Sequence, residues 1–212
     1  MSNKRIAFYA ADNRVKKDSS AVFAPGAKHF ARLHEGTSLV GVNNGSLDFA
    51  GRRRVVTNVL LQHEGLDCVA FFCHGYKTGL QLWSNKSEER AAELGRLLRE
   101  RMTADGSVAF YACSTGDDLV HGDDPVDGFA VTVSAHLYPT QRVLGHYGPG
   151  HAVVRPYIRE FRAGRGQWII PPSAGRWREW VAALRSTDLP YRLPFMNYAE
   201  VLRAVPDRKH AA

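Results

Sequence analysis

Short apolar runs alternate with longer amphipathic stretches over the first two thirds of the chain. The runs at residues 5–10, 38–42, 66–73 and 107–112 have the length and apolar density of β-strands. The last two are almost continuously apolar, which is typical of strands buried on both faces of a parallel sheet. Asp105-Gly106 is expected to end the connection that leads into the fourth run.

Between these runs, apolar side chains recur every three or four positions, which predicts helices over 22–34, 51–64, 87–102 and 127–138. Ser87 is a suitable N-cap for the third helix. Strands that alternate with helices indicate βαβ crossovers. We therefore predict an α/β fold, a three-layer αβα sandwich with a mostly parallel central sheet.

The pattern changes in the last third of the chain. Two strand-like runs within 142–161 flank Gly148-Pro149-Gly150, which predicts a hairpin. Apolar residues around 177–184 and 198–205 predict two amphipathic helices after it. A hairpin and helices are thus expected to form a C-terminal extension.

Composition bounds the class of protein. The 212 residues are 44% hydrophobic and 23% charged, which predicts one globular domain over 1–212. The change of pattern divides it into a core over 1–140 and an extension over 141–212. Apolar runs are far shorter than the ~18 residues that a membrane-spanning helix needs, so no membrane partner is expected. Three sparse cysteines and the lack of an export signal indicate a reducing, cytoplasmic compartment.

The net charge of +7 permits binding to nucleic acid without establishing it. Arginines cluster at 52–54 and along 155–178, where a solvated surface is the simpler interpretation. The acidic residues that follow Cys113 cluster at 117–127.

His74 and Cys113 end two buried strands that follow one another along the chain. Neighbouring strands lie ~4.8 Å apart, and parallel strands end at the same edge of a sheet. Attack by a cysteine on a peptide carbonyl needs three kinds of group. The thiolate is the nucleophile, an imidazole accepts the proton of the thiol, and hydrogen-bond donors stabilise the developing oxyanion. The N–H groups of Gly75 and Cys113 are candidates for the oxyanion hole. Gly116 is expected to give the chain freedom to turn after the cysteine.

The motifs Cys73-His74-Gly75 and Ala112-Cys113-Ser114-Thr115-Gly116 resemble those of caspase-fold cysteine peptidases, and most closely the CHAT type within that superfamily. The resemblance covers about residues 5–138. It implies a cysteine endopeptidase with a Cys113/His74 dyad, a protein or peptide substrate and no cofactor. It also implies that Asp117 or Asp118 binds a basic substrate residue, because several members that cleave after Arg or Lys use an Asp in this way.

Other interpretations remain open. Cys113 and His74 are alternatively a buried hydrophobe and a structural hydrogen-bonding residue, and Cys68 and Cys73 are expected in the core. The domain is alternatively a noncatalytic caspase-fold module that binds a regulatory protein partner. A nucleic-acid-binding surface is the third alternative, made by Trp168, Trp177 and Trp180 among arginines. Neither a phosphate-binding loop nor zinc-ligand spacing is present, so no metal is predicted.

Overall fold

The computed structural model describes residues 4–12, 22–84, 87–117, 119–121, 124–126, 128–149, 155–186 and 188–205. The strands of these residues, in chain order, are β1 (Lys4–Ala10), β2 (Thr37–Val42), β3 (Leu66–Phe72), β4 (Gly75–Tyr76), β5 (Gly79–Leu80), β6 (Met102–Tyr111), β7 (Leu119–His121), β8 (Asp124–Val126), β9 (Arg142–His146), β10 (Ile158–Arg162) and β11 (Arg165–Trp168). The helices are α1 (Phe23–Leu33), α2 (Phe49–Leu61), α3 (Glu88–Arg101), α4 (Phe129–Ala135), α5 (Trp177–Ser186), α6 (Leu189–Arg192) and α7 (Tyr198–Ala204).

Seven of the described strands form one sheet in the order β11-β10-β9-β6-β3-β1-β2. From β2 to β9 all neighbours are parallel, whereas β10 is antiparallel to both β9 and β11. The fold is therefore α/β with a mostly parallel central sheet, as the sequence predicts. The carboxyl ends of β1, β3, β6 and β9 meet at one edge, which we call the carboxyl edge.

Adjacent aromatic residues of β3 show that both faces of the sheet are covered. Phe71 contacts Phe110 of β6, and Phe110 in turn contacts Phe129 of α4, with ring centroids 5.6 and 5.3 Å apart. Phe72 instead packs on Phe30 of α1, with centroids 5.9 Å apart. Because successive side chains of a strand point to opposite faces, α4 and α1 cover opposite faces. The result is consistent with a three-layer sandwich.

The C-terminal third adds the predicted hairpin and helices. β9 pairs antiparallel with β10, which confirms the hairpin, although Gly150 lies outside the described residues. A second core packs α5 to α7 against this end of the sheet. It is built around Trp180, which is fully buried and donates its indole N–H to the Pro156 carbonyl at 2.7 Å. The interpretation that Trp180 belongs to an exposed binding surface is therefore wrong.

Helix boundaries follow their caps more closely than the hydrophobic pattern. α2 begins at Phe49, before the predicted start, because the Asp48 side chain accepts from Gly51 N–H at 2.7 Å. Ser87 caps α3 as predicted, by accepting from Arg90 N–H at 3.2 Å. α4 ends at Ala135, before the predicted end, where His136 N–H bonds to Val133 and tightens the last turn. The four-residue helix α6 has no counterpart in the predicted pattern.

The prediction that Asp105-Gly106 belongs to a connection is wrong, because β6 already begins at Met102. Leu66 pairs with Met102 and Cys68 with Ser107. Between these two pairs β6 advances by five residues while β3 advances by two. This irregularity lies at the amino ends of β3 and β6, opposite the carboxyl edge. Among the described residues, no helix is both long and apolar enough to cross a bilayer.

Candidate active site

His74 and Cys113 lie two residues beyond a pair of strand positions that face each other. β3 and β6 are neighbours and parallel, and their last register pair is Phe72 with Tyr111. The two chains therefore leave the sheet side by side at the carboxyl edge, and each reaches its candidate catalytic residue after the same number of steps. Both side chains are half-buried rather than part of the core.

Gly75 gives the most direct measure of how closely these two strand ends approach. A Cβ atom built on Gly75 would clash with the carbonyl oxygen of Cys113 and would lie 2.9 Å from the Cβ of Ala112. The backbone that follows His74 is thus packed against the backbone of Cys113. Glycine is required at position 75 because of this close approach.

Two groups fix His74 from different sides. Phe23, at the start of α1, contacts the imidazole edge to face, with ring centroids 5.0 Å apart and an interplanar angle of 88°. Gln81 holds the backbone: its side-chain oxygen accepts from His74 N–H at 3.1 Å, and its own N–H donates to the His74 carbonyl at 2.9 Å. The position and the direction of the histidine are therefore both constrained.

Arg52 of α2 holds the backbone of Gln81 in place. Its guanidinium donates to the carbonyl oxygens of Gln81, Leu47 and Asn44 at 3.0, 2.8 and 2.6 Å. It therefore joins α2, the loop after β2 and the hairpin after His74. Three charge-assisted hydrogen bonds from one planar fork restrict the relative movement of these segments.

The hairpin that follows His74 bears on the predicted oxyanion hole. Gly75 of β4 faces Leu80 of β5, and the bond from Gln81 N–H to the His74 carbonyl lies just outside this pair. In an antiparallel ladder, a pair flanked in this way does not exchange backbone hydrogen bonds. The Gly75 N–H is thus directed away from β5, as an oxyanion donor at this position would have to be.

Cys113 begins a tight turn, and the next residue of this turn has an unusual backbone conformation. Ser114 has φ 57°, in the left-handed region, where a residue other than glycine costs about 1–2 kcal/mol. The turn is fixed by β9 and the residues after it, because Ser114 N–H donates to Gly148 and Gly116 N–H donates to His146, at 3.1 and 2.9 Å. Neighbouring structure thus maintains a strained backbone next to the candidate nucleophile.

Gly116 has a different role from the one expected. Its backbone does not have a positive φ; the left-handed residue of the turn is Ser114. A Cβ at position 116 would instead lie 2.8 Å from the Gly145 carbonyl oxygen of β9. Glycine is needed there so that the turn can lie against β9, which corrects the prediction of conformational freedom.

Asp117 is almost fully buried at the end of the same turn, with 5% of its surface exposed. One carboxylate oxygen accepts from the backbone N–H of Gly148, which anchors the turn to the segment after β9. The expectation that Asp117 binds a basic substrate residue stays a prediction, and the observed bond gives the carboxylate a structural task. Asp118, the other residue expected in this role, lies outside the described residues.

The three cysteines differ sharply in their access to solvent. Cys68 and Cys73 are fully buried, as the sequence predicts, whereas Cys113 is partly exposed. Burial raises the pKa of the Cys68 and Cys73 thiols to about 12, so both stay protonated at neutral pH. Within the described residues, no three His, Cys, Asp or Glu side chains form a group that could hold a metal ion.

The residues that fix the histidine were not identified from the sequence. Phe23 and Arg52 are distant from His74 along the chain, and each reads as part of an ordinary amphipathic helix. Gln81 is only seven residues from His74, and this proximity in sequence was the available signal. Comparisons of the chain with protein-family models, with curated proteins and with solved structures give no match.

Proposed function

We propose that the protein is a cysteine endopeptidase with a caspase-like, CHAT-type domain, in which Cys113 is the nucleophile and His74 the general base. The observation that carries this proposal is the packing of Gly75 against the Cys113 carbonyl, at the in-register ends of β3 and β6. It brings the histidine-bearing and cysteine-bearing backbones into contact at the edge where parallel sheets bind their ligands.

Three further observations support the assignment. Of the three thiols, Cys113 is the one that solvent reaches. The residue after it, Ser114, has a strained backbone, and such strain is concentrated at functional sites. The Gly75 N–H is directed away from its hairpin partner, as an oxyanion donor requires.

The proposed reaction follows the chemistry of a thiol–imidazole pair. His74 takes the proton from the Cys113 thiol, and the sulfur attacks the carbonyl carbon of the scissile peptide bond. The oxygen of the tetrahedral intermediate accepts from the N–H groups of Gly75 and Cys113. Collapse of the intermediate expels the amine, which takes the proton from the His74 imidazolium, and leaves a thioester on Cys113.

Water completes the cycle. His74 removes a proton from a water molecule, whose oxygen attacks the thioester carbonyl. As the second intermediate collapses, the bond between its carbon and the Cys113 sulfur breaks, the carboxylic acid product is released, and the sulfur takes its proton back from His74. A loss of one oxyanion donor would slow such a reaction about 10²–10³-fold.

Site-resolved alkylation tests the dyad directly. Iodoacetamide at neutral pH is expected to label Cys113 at least ~100-fold faster than Cys68 or Cys73, because labelling requires the thiolate. The His74→Ala substitution should slow the labelling of Cys113. The matched control is His63→Ala, since His63 caps the C-terminal end of α2 by bonding to Val59 at 2.8 Å.

A peptide-cleavage screen then tests the activity, with wild type compared with Cys113→Ala. The proposal predicts cleavage that disappears in Cys113→Ala and falls strongly in His74→Ala. Slow and equal labelling of all three thiols, together with no cleavage, would instead identify a noncatalytic module that binds partners.

A further inference from the structure

A chain of contacting aromatic rings runs along the molecule beside the Cys113 turn. Tyr147 contacts Trp168, Trp168 contacts Tyr157, and Tyr157 contacts Trp177, with centroids 5.4, 6.4 and 5.1 Å apart. Trp168 ends β11, which is the last strand on its side of the sheet. We call these four rings, with Arg155 and Arg159, the aromatic–arginine surface.

Tyr147, Tyr157 and Trp168 are outside both cores, and Trp177 packs at the margin of the second core. Tyr147 is 40% exposed, and Tyr157, Trp168 and Trp177 are half-buried. The other two tryptophans of the chain, Trp83 and Trp180, are fully buried. Burial of apolar area accounts for Trp83 and Trp180, but it does not account for a row of partly exposed rings.

Two guanidinium groups lie on this row. Arg155 lies over the Tyr157 ring at 5.3 Å, and Arg159 lies over the Trp168 ring at 5.6 Å. Each is held by a backbone carbonyl: Arg155 donates to Tyr147 at 2.9 Å and Arg159 to Gly116 at 3.2 Å. Rings and cations are therefore already arranged together, and a ligand would meet an ordered surface.

The charge of the chain is concentrated in the same region. Residues 155–186 contain seven arginines and two glutamates, which gives +5 of the total net charge of +7. Arg178 is exposed and directly follows Trp177 of α5 in sequence. A ligand of this surface should consequently be an anion that is long enough to contact several of these groups.

We propose that the aromatic–arginine surface binds single-stranded nucleic acid. Bases have flat π-faces that stack on Tyr, Trp and Arg, and phosphates are attracted by the surrounding arginines. A duplex keeps its bases stacked internally and offers this surface its phosphates alone. An acidic protein segment would also be attracted by the positive charge, but its carboxylates have no flat π-face that could stack on the rings. The proposal goes beyond the peptidase and does not depend on it.

The position of the surface also brings a bound strand close to the candidate dyad. Arg159 contacts Gly116 of the Cys113 turn, and Tyr147 directly precedes Gly148, which bonds to both Ser114 and Asp117. Peptide and nucleic acid would therefore be bound along the same edge of the sheet.

Binding can be measured with the Cys113→Ala protein, so that the result does not depend on peptidase activity. Fluorescently labelled oligo-dT and oligo-U are the probes, with a duplex and poly-L-glutamate as competitors. We expect single-strand binding that quenches tryptophan fluorescence and weakens as salt rises, with a log–log slope of about −0.7 per phosphate neutralised.

Substitutions at exposed tyrosines separate stacking from charge. Tyr147→Leu should weaken binding about tenfold, whereas Tyr147→Phe, which keeps the ring, should bind like the unsubstituted protein. The matched control is Tyr138→Leu, because Tyr138 is 46% exposed and also has an arginine, Arg99, over its ring at 5.5 Å, but lies outside the surface. Thermal unfolding of each variant confirms that the fold is retained.

Several results would overturn the proposal. The first is no binding of either oligonucleotide at low salt. The second is equal binding of the duplex or of poly-L-glutamate with no effect of Tyr147→Leu, which would identify a general anionic or acidic-protein partner. The third is an equal loss of binding in Tyr138→Leu and Tyr147→Leu.

Discussion

Gly75 and Cys113 are in contact through their backbones, and the space between them is too small for a single additional carbon atom. The contact joins residues 38 positions apart in sequence because each follows one of two paired parallel strands. A site formed in this way depends on the backbone as much as on its two reactive side chains.

Gly75→Ala is the sharpest test of this contact. The added methyl group must displace the Cys113 carbonyl, so we expect the free energy of unfolding to fall by about 1–3 kcal/mol. We also expect the rate of peptide hydrolysis to fall about 100-fold, because a misplacement of reacting groups by about 1 Å has an effect of this size. The control is Gly175→Ala, because a Cβ on Gly175 would meet no atom within 4 Å. Equal effects of the two substitutions would contradict the geometry.

Gln81 is predicted to act as a positioning residue for His74. Gln81→Met keeps the size of the side chain but removes the acceptor for His74 N–H, and should lower the hydrolysis rate about tenfold. Gln81→Glu keeps an acceptor and should retain most of the rate. Rescue by Gln81→Glu would identify the acceptor, rather than the bulk of the side chain, as the feature that positions His74.

A positioning role of Gln81 can be distinguished from a purely structural effect. Loss of folding would lower the activity of Gln81→Met in proportion to the unfolded fraction that circular dichroism detects, whereas loss of positioning lowers the activity of the folded protein. The exposed Gln167 provides a control, since Gln167→Met removes an amide from β11 at a distance from the histidine. Equal losses of activity in Gln81→Met and Gln81→Glu would show that the acceptor for His74 N–H does not determine the rate.

Asp117→Asn is predicted to change stability more than substrate preference. The buried carboxylate of Asp117 accepts from Gly148 N–H, and an uncharged amide replaces a charge-assisted hydrogen bond by a weaker one. We expect a loss of about 1–2 kcal/mol in urea unfolding. In a positional peptide screen the preferred residue before the scissile bond should remain the same. A lost preference for Arg or Lys would instead show that Asp117 binds the substrate.

Alkaline pH should destabilise the protein through its buried thiols. The pKa of Cys68 and of Cys73 rises from 9.0 to about 12 on burial, so the folded state keeps two protons that the unfolded state releases. Their contribution is fully present below pH 9 and is lost as pH rises towards 12. Between pH 9 and 10 the two thiols together should cost about 2 kcal/mol.

Urea unfolding at pH 8, 9 and 10 checks this expectation. The double variant Cys68→Ala/Cys73→Ala should start less stable, because it leaves small cavities, but should lose less stability between pH 9 and 10. Tyr111, whose pKa burial also raises, adds its own loss only above pH 10. Parallel pH dependence of the double variant and wild type would refute the assignment to the thiols.

The hydrophobic pattern predicted the alternating strands and helices of the first two thirds of the chain. The continuous apolar run of β3 indicated a parallel, doubly covered strand, and Ser87 indicated the start of α3. The start of α2 was missed because one carboxylate, Asp48, determines it rather than a periodic pattern. The four residues of α6 are too few for periodicity to reveal.

The candidate site was predictable where it depends on strand ends and not where it depends on tertiary contacts. His74 and Cys113 follow apolar runs that the sequence displays openly, so their shared edge could be inferred. The contacts of Phe23 and Gln81 with His74 depend on how α1 and the β4–β5 hairpin pack in the folded protein. One alternative placed Trp180 on a binding surface, because a sequence does not show which aromatic residues of an amphipathic helix face inward.

The uneven register of the central sheet has a practical consequence for engineering. The irregular pairings of β1 with β3 and of β3 with β6 both fall at the amino ends of these strands, whereas the pairing near the dyad is uniform. Extra residues between Thr103 and Gly106 would therefore be taken up at the far end of the strands. A tag or a reporter peptide inserted there would leave the thiol and the imidazole in place.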